Sequence, residues 1–339
     1  MIDEGQVRAH LDALAKPQGS LGRLEDVAVR LAMTQGRMDP RTRPRRIVLF
    51  AGDHGCVADG VSAWPSAVTG MMVATILAGR ATSNAFAAAH DCTLRLVDVG
   101  VAAPRPIDPP SFYRDARIAE GTRSLAQGAA MDVAQFDAAW RIGADEADRA
   151  VDAGTAVLIG GEMGIGNTTP AAALTALLTG AEVAETIGRG AGADDAVIAV
   201  KTRVVAEAVA RSRPSLADEP VASIAAVAGY EIAAMAGFFA RGAERGATVL
   251  LDGYVATAAA LVAERLAPGS VSAMIAGHRS AEPGHRAALA HLELEPMLDW
   301  GMRLGEGSGA LVALPLLDAA AALLGDVARL DAIGAERAD

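Results

Sequence analysis

The sequence predicts an α/β protein with a parallel sheet flanked by helices, and two observations carry that expectation. Short aliphatic and β-branched runs alternate with longer Ala/Leu-rich stretches, and each run ends in glycine beside a polar residue. The runs are continuously apolar instead of alternating, as strands covered on both faces are. Open α/β sheets keep their functional loops at the carboxyl ends of such strands, where the glycines fall.

In chain order, the first forty or so residues hold no strand-like run and read as helices. A Pro/Arg cluster at 40–46 (PRTRPRR) separates them from a first strand at 47–51 (IVLFA), which runs into Gly52-Asp53-His54-Gly55. Further strands are expected at 93–99 (TLRLVDV), 156–159 (AVLI), 248–251 (TVLL) and 271–275 (VSAMI). They end at Gly100, Gly160-Gly161, Asp252-Gly253 and near Gly277-His278. After Trp300 the chain again reads as helix, so its two ends are expected to form a smaller helical layer together.

Composition narrows the class. Hydrophobic residues make up 52% of the 339, yet aromatics only 4%, which suggests small-residue helices packed closely on a sheet. The chain is long enough to bury a sizeable core. The longest apolar stretch, 310–324, contains Pro315 and Asp318 and is too short to span a bilayer. The first ten residues (MIDEGQVRAH) lack the apolar region of a secretory signal. A net charge of −11 argues against a nucleic-acid surface, so neither a nucleic acid nor a membrane is expected as a partner. It also means that an anionic substrate must be held by local dipoles and a few placed cations. The two cysteines, Cys56 and Cys92, fit a reduced compartment, and the expected location is cytoplasmic.

The most informative segment is GGEMGIGNTTPAAA, residues 160–173. A buried strand enters a glycine-rich turn, then Asn167-Thr168-Thr169 precede Pro170, which suits the first turn of a helix with a threonine as its cap. Converging backbone N–H groups and a helix N-terminus would bind a phosphate, although a glycine loop alone is equally a tight strand-to-helix turn. Glu162 inside that loop is poor design for an anion cradle, but it suits a developing positive charge. A second glycine segment, 188–195 (GRGAGADD), leads into a helix carrying Lys201, so Arg189 and Lys201 could supply cations; a solvated lysine is the plainer alternative. In RLGEGSGA, residues 303–310, Glu306 stands among glycines in an apolar region. There it would be desolvated with a raised pKa, as a general base needs, or simply exposed in a turn. Asp53-His54 could begin a metal site, as in some phosphohydrolases, but no HExxH or comparable spacing accompanies it. A structural role for both is the better account, and no metal or cofactor is expected.

Beyond these motifs the chain resembles the nicotinate-nucleotide:dimethylbenzimidazole phosphoribosyltransferases, which make α-ribazole phosphate for the lower ligand of cobalamin. The matching segments are KPQGSLGRLE from Lys16, Gly52 to Gly55, VDVGV from Val97, GEMGIGNTTPAAA from Gly161, LLDGYV from Leu250, GHRSAEPGH from Gly277 and LEPMLDWGMRLGEGSGA from Leu294. They run in order from about residue 11 to about 325. The resemblance implies a large Rossmann-like domain over 40–300 and a small helical domain from 1–39 and 301–339. It also implies a homodimer with sites completed across the interface, and nicotinate mononucleotide and a benzimidazole-type base as substrates. By position it implies Glu306 as the catalytic glutamate and puts Glu162 in the loop around the ribose phosphate, where ribosyl-transfer chemistry could use it as a second carboxylate that stabilises C1 charge or orients the ribose hydroxyls. Gly164, Gly166, Asn167, Thr168, Gly188, Gly190 and Lys201 would lie around the ribose phosphate, and Asp252 and Ser280 would line the nucleotide site. Leu304 would contact the base, together with Trp64, Met71 and Met72. Relatives often have a glutamine near the two methionines, so the resemblance leaves base selectivity open.

Overall fold

The computed structural model describes residues 2–334. Six strands form one parallel sheet: β1 (Arg45–Gly52), β2 (Cys92–Gly100), β3 (Tyr113–Asp115), β4 (Val157–Met163), β5 (Thr248–Leu251) and β6 (Met274–Ala276). Helices α1 (Glu4–Asp12) and α2 (Arg23–Gln35) precede β1, and α3 (Ala67–Leu77) and α4 (Thr82–Ala89) separate β1 from β2. Between β3 and β4 lies α5 (Val133–Asp152). Between β4 and β5 come α6 (Thr168–Thr179), α7 (Val183–Thr186), α8 (Asp195–Ser212), α9 (Pro220–Ala225) and α10 (Tyr230–Glu244). The chain closes with α11 (Tyr254–Leu266), β6, α12 (Gly284–His291) and α13 (Ser308–Gly325). The strand order is β3-β2-β1-β4-β5-β6, the doubly wound order whose direction reverses between β1 and β4.

The continuous apolar runs have the cause expected for them. In β1 the alternate residues Ile47, Leu49 and Ala51 join one core, and Val48 and Phe50 join another, all five with no exposed surface. The Phe50 face is covered by α5, α6, α10 and α11, where Leu158, Val249, Met235, Phe238 and Phe239 meet. On the other face, Val7, Leu11, Ala28, Leu31, Leu311 and Leu314 pack on Ile47, Leu49, Ile159, Leu250 and Ile275. Both chain ends therefore cover this face, and they are tied to each other where Ala15 N–H donates to Ala328 O and Leu330 N–H to Ala13 O. We propose this terminal layer as the small helical domain; because its apolar side chains share one core with the strands, the two parts are expected to unfold together. Among the described residues α13 is the one helix long and apolar enough to cross a membrane, and 56% of it is buried inside the protein.

Two strand expectations are corrected. The last strand is 274–276, because 270–273 winds into a 3-10 turn. β3 was not anticipated: it is three residues (YRD) at the sheet edge, too short and polar to show an apolar run.

Candidate active site

A cleft of ≈ 600 Å³ opens at the carboxyl ends of β4, β5 and β6, beside the reversal of strand order. β4 supplies its floor. At Gly161 a Cβ would stand 2.5 Å from Leu49 Cδ2 and 2.8 Å from Gly307 N, so only glycine lets the 305–307 loop lie against the strand. One residue on, Glu162 is buried and accepts a hydrogen bond from the Asn167 amide. Burial pushes its carboxyl up to about 8; the charges of Asp252 and Glu231 add to the rise, and the Asn167 bond opposes it.

Asn167 occupies the cap position of α6, and no side chain caps that helix, since the Asn167 amide is turned to Glu162. This corrects the expected threonine cap, with Thr168, Thr169 and Pro170 lying inside the helix. In this turn the N–H groups of Ile165, Asn167 and Thr169 are already bonded, to Thr69 Oγ1, Gly164 O and Gly166 O, and Pro170 has none, so Gly166 and Thr168 supply the amides for an anion. Beside them Lys201 of α8 is buried and not solvated. Its Nζ donates to Thr168 Oγ1 at 2.7 Å and to Gly188 O at 3.1 Å. Burial lowers the Lys201 pKa to about 8, and the charge of Glu282 works against that fall. An anion beside Nζ would favour the ammonium and raise the pKa again. Glu282 is buried, with Oε1 accepting from Gly190 N at 2.9 Å.

The second carboxylate comes from the loop before α13. Gly305, Glu306 and Gly307 have φ of +89°, +58° and +71°, an unusual left-handed run for a chain that includes a glutamate. Asp252, just after β5, holds this loop. Its carboxylate accepts from Gly307 N (3.1 Å), Gly309 N (2.7 Å) and Ala310 N (3.3 Å), which makes it the remote cap of α13. Burial works to raise the Asp252 pKa, but His278 and these amides outweigh it and hold the carboxyl below its usual value. Glu306 itself is buried, and Oε2 accepts from Ser83 Oγ at 3.1 Å in the first turn of α4. Its pKa is raised by burial, less so because of Ser83, and further by the Asp252 charge. Ser280 is buried at the cleft wall, its Oγ accepting from Glu282 N at 3.3 Å.

A sequence model described as Phosphoribosyltransferase matches residues 3–334. The chain belongs to the phosphoribosyltransferase family. It is 48% identical over 338 residues to the nicotinate-nucleotide–dimethylbenzimidazole phosphoribosyltransferase of Mycobacterium marinum, covering 99% of this chain and 93% of the relative. The Salinispora tropica enzyme of the same name is 47% identical, with 95% and 92% covered. Among solved structures, CobT from Thermus thermophilus superposes with a TM-score of 0.95 at 44% identity over 99% of both chains.

This phosphoribosyltransferase brings most of the expected residues to one cleft: Glu162, Gly164, Gly166, Asn167, Thr168, Gly190, Lys201, Asp252, Ser280, Met72, Leu304 and Glu306 all line it. Gly188 stands behind the wall, its carbonyl held by Lys201. Trp64 and Met71 are not in the lining. Trp64 is half exposed at the mouth, with Nε1 donating to Ala191 O at 2.9 Å, and Met71 is exposed on α3. The Asp53-His54 turn is structural: buried His54 lies 2.9 Å from Glu231, and Asp53 accepts from Ala102 N at 2.8 Å. Among the described residues no three His, Cys, Asp or Glu side chains converge to hold a metal, and the phosphohydrolase alternative has no support. Sequence reasoning missed Ser83, Glu282 and Arg303. Glu282 and Arg303 lay inside quoted motifs but were not singled out; Ser83, 223 residues from its partner Glu306, gave no signal.

Proposed function

We propose that this phosphoribosyltransferase moves the phosphoribosyl group of nicotinate mononucleotide to a ring nitrogen of 5,6-dimethylbenzimidazole or a related azole. The products are nicotinate and α-ribazole 5′-phosphate, in assembly of the cobalamin nucleotide loop. The observation that supports this best is a pair of buried carboxylates, Glu162 and Glu306, in one cleft with an uncapped helix terminus, Thr168 and Lys201.

The donor phosphate is held by the Gly164–Thr168 turn, Lys201 and the Gly188–Gly190 segment, with Asp252 and Ser280 behind the nucleotide. Nicotinate is bound to C1′ as a pyridinium and leaves as a neutral ring nitrogen, so its departure needs no general acid. The incoming azole nitrogen attacks from the opposite face and inverts β to α. Its second nitrogen gives its proton to Glu306, whose raised pKa suits a general base. A pyridinium beside Glu162 favours the ionised carboxylate, which then stabilises the oxocarbenium-like charge at C1′. Leu304, Met72, Met71 and Trp64 are proposed to bound the base. Leu304, Trp64 and Met71 are 56%, 50% and 64% exposed, an apolar rim that a second copy would cover, and this supports a homodimer. Two free, buried cysteines support a cytoplasmic location.

Purified protein given nicotinate mononucleotide and an equimolar panel of azoles, read by product mass, tests the proposal. Benzimidazole ribotides and released nicotinate are expected. Absence of any ribotide from a folded protein, or a strong preference for adenine, would overturn it.

A further inference from the structure

We propose that Arg303 is a positioning residue that couples the donor and acceptor halves of the site through a strap formed by residues 188–193. This rests on the phosphoribosyl-transfer reading above, because it assigns one half of the cleft to the nucleotide and the other to the base.

The strap joins α7 to α8 and its residues 189–193 line the cleft, with Gly190 and Gly192 in the left-handed region (φ +50° and +103°). Four side chains from four separate segments hold its backbone. Two are buried and lie on the phosphate side: Lys201 Nζ bonds Gly188 O at 3.1 Å, and Glu282 Oε1 accepts from Gly190 N at 2.9 Å. The other two are exposed and come from the base side. Arg303 Nη1 donates to Gly190 O at 2.6 Å, and Trp64 Nε1 donates to Ala191 O at 2.9 Å.

These two pairs differ in durability. The inner bonds are shielded from water, and breaking them leaves buried polar atoms unpaired. Of the outer pair, exposed Arg303 can exchange its partner for water, so its bond forms in proportion to how firmly the strap is already held. Gly190 joins the two pairs, because its N–H meets Glu282 and its carbonyl meets Arg303. A nucleotide phosphate drawn to Lys201 and Thr168 fixes the peptide units around Gly190 through the Lys201 bond to Gly188 O. It thereby presents a fixed acceptor to Arg303. Arg303 directly precedes Leu304 and lies three residues before Glu306, so anchoring it limits the freedom of the base-contacting backbone and of the general base together. Linkage makes the effect reciprocal: whatever factor the sugar phosphate adds to azole affinity, the azole adds to sugar-phosphate affinity.

Calorimetric titration of 5,6-dimethylbenzimidazole, with and without saturating ribose 5-phosphate, measures the coupling without turnover, since ribose 5-phosphate carries no leaving base. In the wild type the sugar phosphate should tighten azole binding by about fivefold or more. In Arg303→Ala that factor should fall to about one, while azole affinity without sugar phosphate changes by less than about twofold. Trp64→Phe should lose part of the factor and Arg303→Lys should recover part of it. Hydrogen exchange should rise across residues 186–194 in Arg303→Ala and stay at wild-type rates in the sheet, which also checks the fold. A wild type without coupling, or an Arg303→Ala variant that keeps it, would overturn the proposal. So would azole affinity lost equally with and without ribose 5-phosphate, because Arg303 would then be an ordinary wall of the base pocket. Wild-type turnover of nucleotide and azole, measured first, separates failure of this inference from failure of the assigned reaction.

Discussion

Two of the carboxylates that line the cleft, Glu162 and Glu306, are held by opposite means. Glu162 is the sixth residue of a seven-residue central strand, its backbone paired with β1 opposite Phe50. Glu306 sits on a loop with three successive left-handed residues and no sheet partner, fixed by Asp252 from one side and by Ser83 from the other. A strand end places a side chain through hydrogen bonds that every neighbouring residue shares. A loop of this kind depends on a few named bonds. Glu306, the proposed proton acceptor, is therefore the one whose position is most exposed to single substitutions.

The sharpest test of that contrast is Glu306→Gln, which should reduce kcat by about 10²–10⁴-fold with little change in nucleotide KM, read by steady-state kinetics. Wild-type turnover by the folded variant would remove Glu306 from the mechanism. Asp252→Ala should come next, at about 10²-fold in kcat, because the amides of Gly307, Gly309 and Ala310 lose the acceptor that fixes the Glu306 loop to the start of α13. Thermal unfolding should fall in the same variant, by about 2–4 kcal/mol for buried charge-assisted bonds.

Glu162→Gln is expected to be milder, on the order of tenfold in kcat, since the strand still places an amide where the carboxylate stood. It carries a second readout. The Glu162 carboxyl has its folded pKa raised to about 8 from the ordinary 4.5. Between those values the folded chain binds more protons than the unfolded one, so this group's contribution to stability is lost as pH rises towards 8. Replacing it with glutamine should flatten that loss, and denaturant melts at pH 5 and pH 8 would show the difference as a smaller drop. Ser83→Ala should have the smallest effect. The Ser83 hydroxyl favours the ionised form of Glu306, and its removal raises an already raised pKa. The acid limb of kcat/KM should move to higher pH by less than about one unit, with activity restored at pH 8. An unchanged limb would mean that a different group titrates there.

The sheet was legible because it is buried on both sides: five of the six strands stand within a few residues of where apolar runs and terminal glycines put them. The edge strand β3 was not, because three polar residues leave no pattern to read. Within the site, Glu162, Lys201 and Glu306 could be chosen from their glycine surroundings. The burial of Lys201 could not, since α8 carries no feature that separates a lysine facing Thr168 from one facing water. Asn167 shows a subtler gap. Its position marks a helix cap, but its side chain serves Glu162, and only the three-dimensional path of the turn decides between two acceptable partners. Ser83 and the Asp252 bonds to 307–310 depend on contacts between remote segments, which spacing along the chain does not encode.

The left-handed backbone at Glu306 also bears on how this enzyme would respond to selection in the laboratory. A side chain other than glycine at φ +58° costs about 1–3 kcal/mol, and a buried carboxylate adds to that cost. Directed evolution for heat resistance alone, with no turnover requirement, should therefore enrich glycine or asparagine at position 306 and deliver robust, inert protein. Any thermostable library built on this scaffold needs activity scored in the same round, because a substitution that relieves this strain also removes the proposed proton acceptor.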